Sequence, residues 1–262
     1  MSDFSNKSVV VTGGAKGIGS GIVKAFAEVG ARVACVDTDE VAGQQISEDI
    51  EGNSGDIRFY NVDVSDASKC KSLCDSVVSD WGCIDVLCNN VGIQPTSSYL
   101  PAHELPDEMW DRIVDVNLKS HFLMSKYSLP HMMEAGSGVI INTASVQGLQ
   151  SATGVSAYAA SKGGILSLTR QLALEYARYG IRVLAVNPGT VDTPLVEEAR
   201  VYTGQTREEL NQEAVESHPI GRMGMPSDVA GAVIFLASEE ASFMTGSYIN
   251  VDGGLMAKGA WA

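Results

Sequence analysis

Long apolar runs are missing from these 262 residues. No uninterrupted stretch approaches the ~20 residues that a membrane-spanning helix needs, so no membrane association is expected. Basic residues are few: 18 lysines and arginines stand against 32 aspartates and glutamates, a net charge of −14. That balance argues against nucleic acid or an anionic membrane surface as partner, although the field inside a cleft can differ from the total. Cysteine is sparse and badly spaced for chemistry. Cys35, Cys70, Cys74, Cys83 and Cys88 form no paired C-x-x-C motif, and the four histidines are scattered, so no metal is expected. An odd number of thiols fits a reduced state. Residues 1–8 are polar and charged with no apolar core, so no secretory signal is read and a cytoplasmic location is expected. No repeat, low-complexity tract or shift in composition divides the chain, and a single domain over 1–262 is expected.

What is present is an alternation. Apolar, β-branched runs at 9–12, 33–37, 57–62, 84–89, 138–143, 181–187 and 247–251 read as strands. Helical patterns lie between them, near 17–29, 40–50, 67–81, 106–133, 156–179 and 227–237. Strands alternating with helices predict an α/β fold: one doubly wound, Rossmann-type, seven-stranded parallel sheet with helices on both faces. Ligands then sit in the crevice at the carboxyl ends of the strands.

The first unit carries a nucleotide signature. Val9 to Val11 leads into Gly13, Gly17 and Gly19, then an amphipathic helix, then a second strand that ends at Asp37. That order is what a dinucleotide-binding βαβ unit requires. Gly13 allows the tight turn, while Gly17 and Gly19 let backbone and helix approach a pyrophosphate. The free N–H groups of the helix N-terminus then face the phosphates. Asp37 suits the ribose hydroxyls of NAD and repels the 2′-phosphate of NADP. Lys16, in the glycine loop, could approach that phosphate and cuts the other way. NAD is the expected cofactor, ahead of NADP.

Tyr158 and Lys162 lie four residues apart in a helical stretch, and Ser145 precedes the tyrosine by thirteen residues. A tyrosine with its usual pKa of ~10 is a poor base at neutral pH. A lysine one turn later shares its face, and its charge should lower the phenol's pKa. A serine hydroxyl alongside can hold the oxygen of an alcohol or carbonyl. The set suits proton removal from a hydroxyl while a hydride leaves the same carbon.

These residues together resemble the short-chain dehydrogenase/reductase family over nearly the whole chain. The stretch from Thr12 through Ile18 to Gly19 is similar to its cofactor loop, and Asp63-Val64 to its adenine-contacting pair. Asn89-Asn90-Val91-Gly92 resembles the motif closing the fourth strand, with valine where alanine is usual. Tyr158 and Lys162 match its Y-x-x-x-K pattern, and Asn187 to Thr193, with Pro188, Gly189 and Val191, resembles the nicotinamide loop. The resemblance implies that Asn117, in VDVNL, steadies a water that links the lysine to solvent, and that Lys162 also holds the nicotinamide ribose. It further implies a mobile substrate lid over about 190–222 and assembly as a homotetramer. The apolar, glycine-rich tail over 250–262 would suit a subunit contact.

The substrate is less legible, beyond being a small molecule. Gln94, Gln147, Gln150, Ser151 and Thr190 lie beside the motif residues, and polar side chains there would suit a hydroxyl-rich substrate. Glutamines facing water are the alternative. His218 is expected in an exposed loop, within reach of the pocket. The leading expectation is an NAD-dependent dehydrogenase of a sugar, polyol or cyclic alcohol. An NADPH-dependent 3-oxoacyl-type ketoreductase and a non-catalytic dinucleotide-binding protein are the alternatives.

Overall fold

The computed structural model describes residues 3–48 and 55–259. Residues 49–50 of the helix expected over 40–50, and 260–262 of the glycine-rich tail, lie outside the described residues. The strands are β1 (Ser8–Thr12), β2 (Arg32–Asp37), β3 (Asp56–Asn61), β4 (Val86–Asn89), β5 (Gly138–Thr143), β6 (Ile181–Pro188) and β7 (Tyr248–Val251). They form one sheet in the order β3-β2-β1-β4-β5-β6-β7, every pair parallel. The order reverses between β1 and β4, which opens a crevice at their carboxyl ends.

Nine α-helices are described: α1 (Gly17–Glu28), α2 (Glu40–Glu48), α3 (Ala67–Trp81), α4 (Asp107–Val114), α5 (Ser120–Ala135), α6 (Ser156–Tyr176), α7 (Pro194–Thr203), α8 (Arg207–Ser217) and α9 (Pro226–Ala237). The inner strands β1, β2, β4, β5 and β6 are largely apolar because both faces of the sheet are covered there, while the edge strands β3 and β7 are partly exposed. Val9 and Val11 point into one core with Ile22 and Phe26 of α1 and Val229 and Val233 of α9. Val10 points into the other, with Leu73 and Val77 of α3, Met124 of α5 and Leu172 of α6.

The single long helix expected over 106–133 is interrupted. A π-helical turn at Asp115–Lys119 separates α4 from α5. Such a turn widens the helix by one residue and re-aims the side chains on it. Asn117 lies on this turn and is fully buried. Periodicity does not reveal such a turn, because the apolar residues on either side keep their helical spacing. The stretch over 190–222 resolves into α7 and α8, with a small core of Leu210, Ala214 and Met223 against Val196, apart from both sheet cores.

Helix α1 carries the glycine loop, and its position rests on Phe26, which is fully buried and meets Phe4 edge-to-face at 5.1 Å. Phe26→Ala is expected to cost about 3–5 kcal/mol in urea unfolding. A loss under ~1 kcal/mol would show that this core does not hold α1.

Candidate active site

Glycines decide how closely α1 meets β1. A Cβ on Gly19 would lie 1.9 Å from the Gly13 carbonyl oxygen, and one on Gly13 would lie 2.9 Å from the Val91 Cα. Gly13 and Gly17 also have φ of 63° and 54°, the left-handed region that side chains disfavour. Lys16 is the N-cap residue of α1 and makes no side-chain cap. The first N–H groups of α1 are therefore left to a ligand. Thr12 Oγ1 accepts from the backbone N–H of Asn90 and of Val91 at 3.0 and 3.3 Å, and Asn90 Nδ2 donates to the carbonyls of Thr12 and Gly13. These bonds lock β1 to β4 at the switch point. Thr12's part in this lock is not visible in the sequence, because the bonds join residues 78 positions or more apart.

A cleft of about 350 Å³ runs from this loop to the candidate catalytic residues. It brings together Gly13, Gly17, Ile18, Asp37, Asn90 and Gly92 on one side with Ser145, Tyr158 and Lys162 on the other. Pro188, Gly189, Val191 and Thr193 complete its wall. Asp63 and Val64 line an adjoining pocket that shares Asp37, Thr38 and Val91 with the cleft. Asp63 itself accepts from the Ser65 N–H and hydroxyl at 2.9 and 2.7 Å. The Asp37 carboxylate accepts from Ala15 N at 3.1 Å and Asp39 N at 3.0 Å, which aims it across the loop.

The candidate catalytic residues are placed by long-range bonds. Lys162 is 3% exposed, and its Nζ donates to the Thr143 carbonyl at the end of β5 at 2.9 Å. The amine sits over the Tyr158 ring, 5.5 Å from its centre. Ser145 Oγ accepts from Gln147 N at 3.1 Å. Burial pushes the Tyr158 phenol up to about 12, and a hydrogen bond with the Ser145 hydroxyl offsets only part of that. Burial pulls Lys162 down to about 8. The expected lowering of Tyr158 by Lys162 does not appear here: burial raises the phenol, and the amine is turned to Thr143.

Asn117 is committed elsewhere than expected. Its Oδ1 accepts from Ile93 N at 2.7 Å, and its Nδ2 donates to Ile93 O at 2.9 Å and Ser161 Oγ at 3.2 Å. The side chain fixes the loop after β4 against α6. Its expected service to a water would have to come from the widened backbone turn.

The expected substrate residues are dispersed. Gln94 is buried and does not line the cleft. Gln147 and Ser151 line a separate pocket beside Leu100 and Ser156. Gln150 is exposed at the surface. Thr190 turns away from the cleft, into a pocket with His218 and Asp252. Residue type alone could not show which way these loop side chains point.

His218 corrects the sequence reading, being 1% exposed rather than on a surface loop. Its Nε2 accepts from Thr190 N at 3.1 Å, and its Nδ1 lies 2.9 Å from the Ala214 carbonyl. That pairing requires the neutral ring protonated on Nδ1. The histidine thus ties the end of α8 to the loop that walls the cleft. The thiols stay out of the site: burial pushes Cys35 and Cys70 up to about 12, and among the described residues no cluster could hold a metal. All five cysteines are free.

The chain has relatives along nearly its whole length. The family described as enoyl-(acyl carrier protein) reductase matches residues 13–256. Cyclohexanol dehydrogenase of Acinetobacter sp. (strain SE19) is 36% identical over 97% of this chain and 97% of that protein. The 3-oxoacyl-(acyl-carrier-protein) reductase of Thermotoga maritima is also 36% identical, over 97% of this chain and 99% of its own. The ligand-free structure of Thermoplasma acidophilum aldohexose dehydrogenase superposes with a TM-score of 0.87 at 35% identity, covering 99% of this chain and 97% of that one.

His218→Leu would leave the Thr190 N–H without its acceptor. The variant is expected to lose about 1–3 kcal/mol in denaturant unfolding and to speed amide exchange over 189–193. Unchanged exchange there would show that the histidine does not hold the loop.

Proposed function

The chain belongs to the short-chain dehydrogenase/reductase family, and from that premise we propose that it is an NAD-dependent dehydrogenase of secondary alcohols with a sugar, polyol or cyclic alcohol as substrate. That it is an oxidoreductase acting on CH–OH groups follows from the family itself. The observation that carries the finer reading is one cleft with Ser145, Tyr158 and Lys162 on one wall and an uncapped helix N-terminus beside Asp37 on the other.

The residues fit a nicotinamide dinucleotide, since the positions of Gly13 and Gly19 leave no room for a side chain. When bound, it would accept the hydride from the alcohol carbon, or return one. The N–H groups at the start of α1 would hold its diphosphate, and Asp37 its adenosine ribose. Pro188, Gly189, Val191 and Thr193 would hold the nicotinamide end. Ser145 Oγ would orient the substrate oxygen. Tyr158 would take the hydroxyl proton in oxidation and give it back in reduction. Lys162 would share that proton, with Thr143 fixing its position. Residues 190–222 would act as a lid. Their small core, separate from both sheet cores, suits a segment that moves apart from the sheet, with the stacking of Tyr202 on Tyr99 at 5.9 Å as the contact that would have to break. Five free thiols support a reducing, cytoplasmic setting, and exposed Phe235, Phe243 and Tyr248 offer an apolar flank to a homotetramer.

Sugar and cyclic-alcohol substrates are supported by the aldohexose and cyclohexanol dehydrogenases among the relatives. The ketoreductase reading draws on the Thermotoga relative. Against an acidic carrier protein, Arg200, Arg207 and Arg222 of the lid region are all paired with carboxylates. The test is formation of reduced cofactor, followed by its ultraviolet absorbance, with NAD and with NADP across sugars, polyols and cyclic and simple secondary alcohols. Turnover with NAD on a cyclic or polyhydroxylated alcohol is expected. Turnover confined to NADP and oxoacyl thioesters would replace this reading with the ketoreductase.

Tyr158→Phe is expected to lower turnover by about 10²–10⁴-fold while NAD still binds. Retained turnover would remove Tyr158 from its role. The pH dependence follows from the pair. Oxidation places the substrate's proton on Tyr158 and Lys162, so the pair must first have lost one, and its first loss falls near 8, the value burial gives Lys162. The kcat/KM for oxidation is expected to rise about tenfold per pH unit below that value and level above it, with reduction level below it and falling about tenfold per unit above it. A profile flat from pH ~6 to ~10 would exclude the pair as the proton acceptor.

A further inference from the structure

Lys16 is the feature the proposed function leaves unexplained. It lies in the glycine loop and lines the cleft together with Asp37 and Thr38. An ammonium there stands beside the ribose position, where a 2′-phosphate would have to be met. Left free, it would favour NADP and oppose Asp37.

It is not free. Lys16 Nζ is paired with Asp39 Oδ2. The pair is partly exposed, and such pairs are usually weak because two flexible side chains must be ordered. Here one partner is already ordered. Asp39 stands just before α2, and its Oδ1 accepts from Ala42 N at 3.0 Å, in the manner of a helix N-cap. Its own N–H donates to Asp37 Oδ1 at 3.0 Å. Asp37 in turn accepts from Ala15 N, one residue before Lys16. Two carboxylates and one ammonium are therefore held in a single hydrogen-bonded loop with a net charge of −1 at neutral pH.

We propose that Asp39 is a cofactor-selecting residue: it holds Lys16 away from the adenosine ribose and so prevents the glycine-loop lysine from accepting a 2′-phosphate. The inference rests on the reading that this cleft binds a dinucleotide with its adenosine ribose at Asp37. Asp37 acts by contact, accepting from the ribose hydroxyls. Asp39 acts through Lys16 as a positioning residue, and it also adds a second negative charge against the phosphate. Losing it would both release a cation and remove an anion. At surface dielectric each change is worth a few-fold, so together roughly tenfold in affinity.

Titration calorimetry with 5′-ADP and 2′,5′-ADP tests this without turnover. Asn caps a helix as well as Asp, so Asp39→Asn keeps the bond to Ala42 while removing the charge. The 2′,5′-ADP affinity of Asp39→Asn is expected to rise about tenfold, with 5′-ADP affinity changed less than about threefold. Asp39→Glu should restore the original preference, and Lys16→Met in the Asp39→Asn background should cut the gain from about tenfold to a few-fold. A loss of both affinities would mark Asp39 as merely structural and overturn the proposal. So would a gain that survives Lys16→Met in full, because charge removal alone would then explain it. If the unaltered chain binds 2′,5′-ADP as tightly as 5′-ADP, the NAD reading itself fails and this inference with it. If the unaltered chain prefers 5′-ADP and Asp39→Asn does not differ from it, only the inference fails.

Discussion

The bond from Lys162 Nζ to the Thr143 carbonyl does more than place one amine. It fixes α6 against the end of β5, in height and in rotation. Tyr158, one turn earlier, is thereby turned into the cleft, and Ser145, two residues beyond Thr143, is carried beside it. A second bond chain supports the first: Asn89 Nδ2 donates to Asn142 Oδ1 at 3.0 Å, and Asn142 Nδ2 to Thr169 Oγ1 at 2.9 Å. That chain crosses β4 and β5 and ends on α6. Close packing completes the arrangement, since a Cβ on Gly148 would lie 2.8 Å from the Lys162 carbonyl carbon. The arrangement has a cost. Burial lowers Lys162 from 10.5 to about 8, so its charged form is disfavoured by about 3 kcal/mol. Because the folded pKa is the lower one, that penalty applies in full below pH ~8 and fades as pH rises toward the unfolded value. The fold bears its largest burden from this lysine at the pH where the pair must hold a proton.

Against that background, what the sequence revealed divides by range. The strands were legible to within two residues and the helices covering the sheet nearly as well, because buried strands leave apolar runs and helices leave amphipathic ones; α6 stops three residues short of the expected 179, and α7 and α8 had no expected bounds. The glycine loop and the Y-x-x-x-K pair were legible because their spacing is local. The rest depends on contacts between distant segments. The π turn at Asp115–Lys119 leaves the apolar spacing intact. Thr12 meets Asn90, and Thr190 meets His218, across gaps that no periodicity records. His218 read as a loop residue because it follows a polar helix and precedes Pro219, yet its ring fills the space between Gly189 and Gly253. The substrate glutamines failed for a related reason. Loop side chains point where packing sends them, and Gln147 faces a pocket other than the cleft.

Charge shows the same contrast between total and place. With a net charge of −14, a chain that binds an anionic dinucleotide must do so against its own field. Two cations line the cleft, and both are engaged: Lys16 by Asp39 and Lys162 by Thr143. The diphosphate must then be met mainly by backbone N–H groups at the start of α1 and by the partial charge of that helix end. This gives the glycines a purpose beyond flexibility. Backbone donors work only at contact distance, and contact requires that Gly13 and Gly17 have no side chains and that α1 sit directly on the Gly13 carbonyl. On this reading, phosphate binding would be a consequence of how tightly β1, α1 and β4 pack at the switch point. Cofactor choice, by contrast, is left to the side-chain charges of Asp37, Lys16 and Asp39 at the rim, where a single substitution can alter it without disturbing that packing.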